Sequence, residues 1–373
     1  MARVVNAEVF LVEAPFVTPY KLSYGARATS SAVVLKLTDA DGYVGWGEAN
    51  PYQPFTEESP EDALRVLCEI FLPATMAFSV PEPGRVDAKL DTLVEQHLCA
   101  KGAVSMALLD LLGKRLRVPL STILGGALHQ SLPVLWPLSN GTADDDLPVI
   151  EERGAQGFAT FMLKMGSAPV DDEVRRVHIL EGRYGQRMTF IADANQGWSR
   201  GDSLKFLSGV RGTRLAFLEQ PLPKDDLEGM AMLAQSSAIP LSADEPVTGL
   251  QDAARIARLG SANIFSIKSS KNGGPLRAQR IAAVAKAFGI RCYMNSMLEF
   301  GITQAASLQH AVTIENLVEV GHAYMSTLRL AEDPTNFSRF VRNGVVHLPT
   351  DPGLGVQVDE AHVRRMAVTQ VQL

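Results

Sequence analysis

Five residues in the middle of the chain have the types and spacing to hold a divalent cation and move a proton. They are Lys164, Asp193, Glu219, Asp244 and Lys268, at intervals of 29, 26, 25 and 24 residues. Each ends a short apolar run: Phe158–Lys164, Met188–Asp193, Leu215–Glu219, Ile239–Asp244 and Asn263–Lys268. Three carboxylates are hard oxygen ligands of the kind Mg2+ takes while keeping positions open for substrate oxygens. An amine on either side offers an acid and a base, because a divalent charge and partial desolvation lower a lysine's pKa toward neutrality. A single Asp at a strand–helix junction is as easily an N-cap. Three acids in consecutive units, with a lysine in the unit before and the unit after, point to one shared pocket.

The spacing predicts parallel βα units, and a (β/α)8 barrel brings the carboxyl ends of its strands to one face. Leu132–Leu138 reads as barrel strand one, with a helix over Asp144–Gln156. Further helices are predicted over 174–184, 201–210, 226–234, 250–259 and 275–288. Ile290–Asn295 reads as strand seven and Asn316–Val320 as strand eight. Before the barrel the chain is β then α. Strands are expected over Val4–Glu13, Ser30–Asp39 and Tyr43–Glu48, with a polar, aromatic loop over Thr18–Arg27 and a buried helix over Gly102–Arg117. A tail turn and strand are expected in Asp351–Glu360. Trp46 and Gly47 read as structural.

With 373 residues the chain exceeds what one core supports, so two structural units are expected. A hydrophobic content of 46%, a charged content of 20% and a net charge of −6 suit a globular enzyme and give no field for a phosphate backbone, so nucleic acid is not expected as a partner. Cys68, Cys99 and Cys292 match neither a disulfide framework nor a zinc motif. No signal core or membrane-length apolar run is present, so the expectation is a cytoplasmic protein with no membrane association.

Other residues adjoin the proposed site. Glu299 and Glu319, near the ends of strands seven and eight, could polarise a substrate oxygen or cap a helix. His322 and Tyr324 follow strand eight and could line the pocket or pack in a loop. Asn195, Gln220, Glu245 and Lys271 read as supports around the five.

Ordered short motifs then become informative together: Gly45-Trp-Gly-Glu48, Ala107–Gly113, Leu124-Gly-Gly126, Asp193-Ala-Asn-Gln-Gly197, Glu219-Gln-Pro221, Ala243-Asp-Glu245, Ile267-Lys268, Gly273-Gly274, Met297-Leu-Glu299 and Pro352–Gly355. Over nearly its whole length the chain resembles the enolase superfamily, in the muconate cycloisomerase-like branch beside mandelate racemase. The resemblance implies an α/β fold, a modified (β/α)8 TIM barrel with an α+β capping domain. The cap would take residues 1–126, the barrel 127–345, and a C-terminal segment, 346–373, would return to the cap. It implies Mg2+ (or Mn2+) on Asp193, Glu219 and Asp244, with Lys164 and Lys268 removing and delivering a proton α to a carboxylate through a metal-stabilised enediolate. Tyr20 and Tyr24 in the first loop, and Tyr52 in Asn50–Phe55, would close over a small carboxylate substrate. A symmetric homo-oligomer, plausibly an octamer, is also implied.

The chain departs from the branch at one place. Lys-x-Lys is usual at the end of strand two, and here it is Met162-Leu-Lys164, so the lysine that normally helps depress its neighbour's pKa is absent. The segment Glu319–Met325 offers no second acid for an α-amino group, which disfavours dipeptide epimerisation. The expected reaction is racemisation, epimerisation or cycloisomerisation, with dehydration of a hydroxy acid as the alternative. A Schiff-base aldolase leaves the three carboxylates unexplained. A non-catalytic binding protein leaves the retention of all five residues unexplained.

Overall fold

The computed structural model describes residues 3–22, 25–78 and 82–373, apart from the side chains of residues 20–27. Tyr24 and the side chain of Tyr20 therefore lie outside the described residues. The chain opens with two long antiparallel strands, β1 (Val4–Leu22) and β2 (Gly25–Asp39), and β3 (Val44–Ala49) pairs with β2. Asp39 sets the β2–β3 turn. Its carboxylate accepts the backbone N–H of Asp41 and of Tyr43, and Gly42 takes a φ of +85° that costs glycine little. Within Thr18–Arg27, expected as a loop, residues 18–22 and 25–27 extend the first two strands instead: Tyr20 pairs with Arg27 and Leu22 with Gly25.

A last strand, Ala367–Gln372, lies antiparallel to β1 on the sheet's outer edge. It begins after Asp351–Glu360, where a strand was expected. Gly353 and Gly355 both have positive φ, and that segment turns.

Strand alternation divides this sheet between two cores. Val9, Leu11, Val33, Leu35 and Leu37 pack with the helices α1 (Pro60–Val66), α2 (Leu72–Thr75), α3 (Pro83–Leu93) and α4 (Leu98–Leu116). Phe10, Val12, Val34 and Trp46 join the barrel core. The glycines around Trp46 allow β3 to lie on α4. A Cβ on Gly45 would stand 2.1 Å from the Ala107 carbonyl oxygen, and one on Gly47 1.9 Å from that of Ala103.

A short helix, α5 (Leu120–Ile123), leads to β4 (Ser131–Pro133), which pairs antiparallel with the later segment Val345–His347. Seven parallel strands then run in sequential order: β5 (Leu135–Leu138), β6 (Thr160–Lys164), β7 (Thr189–Asp193), β8 (Leu218–Glu219), β9 (Leu241–Ala243), β10 (Ile264–Ile267) and β11 (Arg291–Met294). Between them lie α6 (Ala143–Ala155), α7 (Val170–Tyr184), α8 (Arg200–Gly209), α9 (Leu227–Ser236), α10 (Leu250–Leu259) and α11 (Pro275–Ala287), and α12 (Gly301–Ala311) follows β11. Thr142 and Ser199 start α6 and α8 as capping boxes. Asn316–Val320, expected as strand eight, forms no ladder. Single parallel bridges, Cys292 to Leu317 and Val134 to His322, close the ring there. Among the described residues no helix is long and apolar enough to cross a membrane.

Glu48, at the end of β3, joins the N-terminal sheet to the barrel. Its carboxylate accepts the N–H groups of Phe300 and Thr303, each at 2.9 Å, and so supplies the cap that no side chain of α12 provides. Burial raises its pKa to about 8 against those two bonds.

All of α12 is buried, including His310, whose two ring nitrogens have no hydrogen-bond partner. Burial lowers its pKa to about 4, so the imidazole is neutral in the fold but charges in the unfolded chain below about pH 6.5. The unfolded state then binds the extra proton, and stability is lost as pH falls from there toward 4. A His310→Leu variant should lose less stability than the parent between about pH 7.5 and pH 5, by about 2 kcal/mol. Urea denaturation at the two pH values measures this, and equal losses would acquit His310.

Candidate active site

Lys164, Asp193 and Glu219 are the last residues of β6, β7 and β8. The ladder pairs Lys164 with Asp193 and Asp193 with Glu219, so the three stand level across the sheet. Asp244 and Lys268 come immediately after β9 and β10. All five are buried at the carboxyl ends of the strands.

Each lysine is drawn onto a carboxylate. The Lys164 ammonium donates to Asp193 Oδ2 and, at 3.3 Å, to Asn195 Oδ1. Lys268 Nζ lies 2.6 Å from Asp244 Oδ2, and Lys271 Nζ lies 2.9 Å from Asp244 Oδ1. Asn295 Nδ2 donates to Glu219 Oε1 and to Ser266 Oγ, both at 2.9 Å. Glu219 Oε2 is buried and has no hydrogen-bond partner.

The electrostatics follow from this uneven pairing. Burial pushes Glu219 well above the usual carboxylate range, and the charges of Asp193 and Asp244 push it further. Burial would also raise Asp244, but the ammonium groups of Lys268 and Lys271 outweigh it and hold the acid at about 2. Glu245 is raised to about 8 by burial and by Asp244 and Asp193, and its Oε2 also lacks a partner. Burial lowers Lys268, yet Asp244, Glu219 and Glu245 overcome it and raise the lysine above its ordinary value. The sequence suggested the opposite direction, on the premise that a cation offsets these carboxylates.

Among the described residues no three His, Cys, Asp or Glu side chains already form a metal-holding group. The ion pairs account for that, since Asp193 and Asp244 are turned toward lysines. The donor set still fits a hard divalent cation: three carboxylates at adjacent strand ends, with an unpartnered buried oxygen on the middle one.

The remaining candidates separate clearly. Asn195 and Tyr52 line the pocket, and the Asn195 N–H also donates to Asp193 Oδ1 at 2.9 Å. Glu299 accepts from Ser296 Oγ, from the Met297 N–H and from Gln304 Nε2, and so braces the loop after β11 instead of facing a substrate. Glu319 is off the site. Its side chain is 90% exposed and pairs with Arg291, because the chain there runs as an irregular segment and not as a strand ending at the mouth. His322 does not line the pocket either. It is fully buried, stacks on Tyr293 at 6.0 Å, and its Nδ1 accepts the Met294 N–H. Burial holds its pKa at about 3, so it is a neutral part of the ring closure.

Two contributors, Asn295 and Arg176, escaped sequence reading, and a third, Phe55, ends the segment Asn50–Phe55 that was expected over the substrate. Asn295 follows β11 directly, where the strand-end rule that found the five would have found it. Phe55 lines the pocket from the N-terminal sheet's side. Arg176, on α7, gave no signal. Its guanidinium is buried, binds both oxygens of Asp146, and donates to the carbonyl oxygens of Lys164 and Ser139. A lysine cannot reproduce that fork. Arg176→Lys should therefore cost about 1–3 kcal/mol of stability, measured by chemical denaturation, and should lower turnover through the loosened Lys164 backbone. Unchanged stability would show that the fork does not anchor the strand end.

Residues 149–362 match the family described as enolase C-terminal domain-like, and residues 6–125 match the mandelate racemase / muconate lactonizing enzyme N-terminal domain. The chain is 31% identical to muconate cycloisomerase 1 of Acinetobacter baylyi, over 97% of this chain and 98% of that one. It is 25% identical to the N-succinyl-L-Arg/Lys racemase of Bacillus cereus over 99% of both. The crystal structure of that racemase superposes with a TM-score of 0.95, covering 100% of both chains. The muconate lactonizing enzyme of Pseudomonas fluorescens, solved with muconolactone, gives 0.94 at 30% identity, over 98% of this chain and 99% of that one. With both domain families matched in order on a seven-stranded parallel barrel, the chain belongs to the muconate cycloisomerase-like branch of the enolase superfamily and is an enzyme of the isomerase type.

Proposed function

We propose that this enzyme removes a proton α to a carboxylate and returns one, isomerising a small carboxylic acid. Lys164 and Lys268 act as acid and base from two sides, and Asp193, Glu219 and Asp244 hold Mg2+ or Mn2+. The observation that best supports this reading is the pair of buried ammonium groups flanking three buried carboxylates, the middle one short of a partner. A bound divalent cation would compete with the lysines for those carboxylates, and would offset the charge that grows on the substrate carboxylate as its α-proton leaves.

The chain's own groups perform the rest. Lys164 projects from β6 and Lys268 from just beyond β10, four strands apart, so a substrate between them presents one face to each amine. On a saturated acid one amine takes the α-proton and the other delivers one to the opposite face, giving inversion; on an unsaturated diacid a carboxylate oxygen adds to the double bond and one ammonium delivers a proton to the α-carbon, closing a ring. Asn295 orients Glu219, and Lys271 orients Asp244. Met162, Met297, Met325, Leu135 and Leu298 form an apolar wall of the pocket. An ionised group pressed against it without a partner would cost several kcal/mol. Acids whose non-reacting arm is apolar are thus the expected substrates. A cytoplasmic homo-oligomer completes the proposal.

Incubation in D2O with Mg2+, across muconolactone, N-acyl amino acids and 2-hydroxy acids, tests the chemistry. Lys164→Ala and Lys268→Ala should each lower α-proton exchange by roughly 10²–10⁴-fold, and EDTA should abolish it. Exchange that survives both substitutions would sink the two-base reading. Asn295→Ala should weaken Mg2+ binding by roughly 10–100-fold, read by calorimetry without any substrate; unchanged affinity would remove Glu219 from the ligand set.

A further inference from the structure

One neighbour of the Lys268 ammonium is an uncharged aromatic ring. Lys268 Nζ lies over the face of the Phe55 ring, 3.9 Å from the centroid, a distance at which the ring quadrupole attracts a cation. Phe55 belongs to the segment between β3 and α1, while Lys268 belongs to the barrel, so the contact spans the two parts of the molecule.

The segment is built to present that ring. Thr56 closes it on itself: its N–H donates to the Tyr52 carbonyl oxygen at 2.7 Å, and its hydroxyl accepts the Tyr52 N–H and donates to the Glu58 carbonyl oxygen. Gln53 Nε2 donates to the Glu57 carbonyl oxygen. Glu58 then fixes the far end, its buried carboxylate accepting the Cys99 and Ala100 N–H groups at the start of α4.

Phe55 also stands between two cavities. One holds Lys164 and Lys268. The other lies behind, between Glu58, Glu95 and His97 on one side and Lys224, Glu245 and Lys271 on the other, and Phe55 borders both. Without the ring, the Asp244 ion pair alone would hold the Lys268 ammonium, and the chamber behind would open toward its four-carbon stem.

We propose that Phe55 is a positioning residue for Lys268. Its ring holds the ammonium against one side of the substrate pocket and shields it from the rear cavity. The proposal rests on Lys268 serving as one of two proton-transfer groups, and the experiment separates the two claims.

Pulse labelling with isotopic acetic anhydride, followed by mass spectrometry, reads the accessibility of each lysine with no substrate present. In Phe55→Leu, Lys268 should be acetylated roughly fivefold faster, the scale of a lost cation–π contact, with Lys164 unchanged. Phe55→Tyr and Phe55→Trp should label like the wild type. Unchanged Lys268 labelling in Phe55→Leu, or an equal rise at both lysines, overturns the proposal. In D2O with Mg2+, and the separate enantiomers of N-acetylmethionine as probe, Phe55→Leu should slow exchange from one enantiomer far more than from the other. Equal slowing of both overturns the positioning role. Absence of exchange from both enantiomers in the wild-type protein counts against the α-proton chemistry itself, and the labelling comparison then decides Phe55 alone.

Discussion

Three acids buried in the same small mouth set the terms for the rest of this structure. Asp193, Glu219 and Asp244 are all buried, and a buried charge without compensation costs several kcal/mol. The chain compensates them unequally. Asp244 receives two ammonium groups and is held at about 2, whereas Glu219 receives one amide hydrogen from Asn295 and is driven upward. The shortage of positive charge is therefore centred on the middle acid. Fitness for a cation is a property of that imbalance and not of any single ligand.

The N-terminal sheet is fixed beside this mouth by packing on both faces. Residues that alternate along β1 and β2 feed two cores, so the sheet cannot leave the barrel without exposing one of them. Polar contacts then fix its register over the pocket. Glu48 caps α12, Ser30 Oγ donates to the Leu298 carbonyl oxygen at 3.0 Å, and the Asn50 N–H donates to Ser270 Oγ. Leu298 is itself a pocket residue with a φ of +67°. The sheet and the mouth are thus tied through the same few residues, and distortion in one is transmitted to the other.

The barrel units were legible because each strand is buried and bounded, giving an apolar run with a polar end. The rule worked best where strands are regular, at Lys164, Asp193 and Glu219. It failed at Glu319, where the chain lies beside the barrel through single bridges. Strand alternation has no hold on such a segment, and the side chain faces solvent. At His322, where the sequence allowed either pocket lining or packing, packing holds, because the ring closure draws the side chain inside. Arg176 was invisible because a long side chain on a helix can reach a strand end that no periodicity links to it. Phe55 lay in the segment expected over the pocket, but its pairing with Lys268 was invisible because that partner lies in another part of the chain, brought near only when the two parts dock.

The two lysines consequently occupy unlike surroundings. Lys268 shares Asp244 with Lys271, and their like charges oppose one another; that repulsion, after burial, helps lower Lys271. Lys164 shares its strand face with Met162, two residues earlier, because alternation returns every second side chain to the same side. Met162 is only 2% exposed and contributes a thioether where a second lysine would have added repulsion. One amine therefore sits in a cluster of competing charges and the other beside an apolar neighbour. Proton transfer across a substrate needs one group that releases a proton and one that accepts it, and nothing in that requirement calls for twin environments. Met162 sharpens the difference between the two sides while leaving an amine on each.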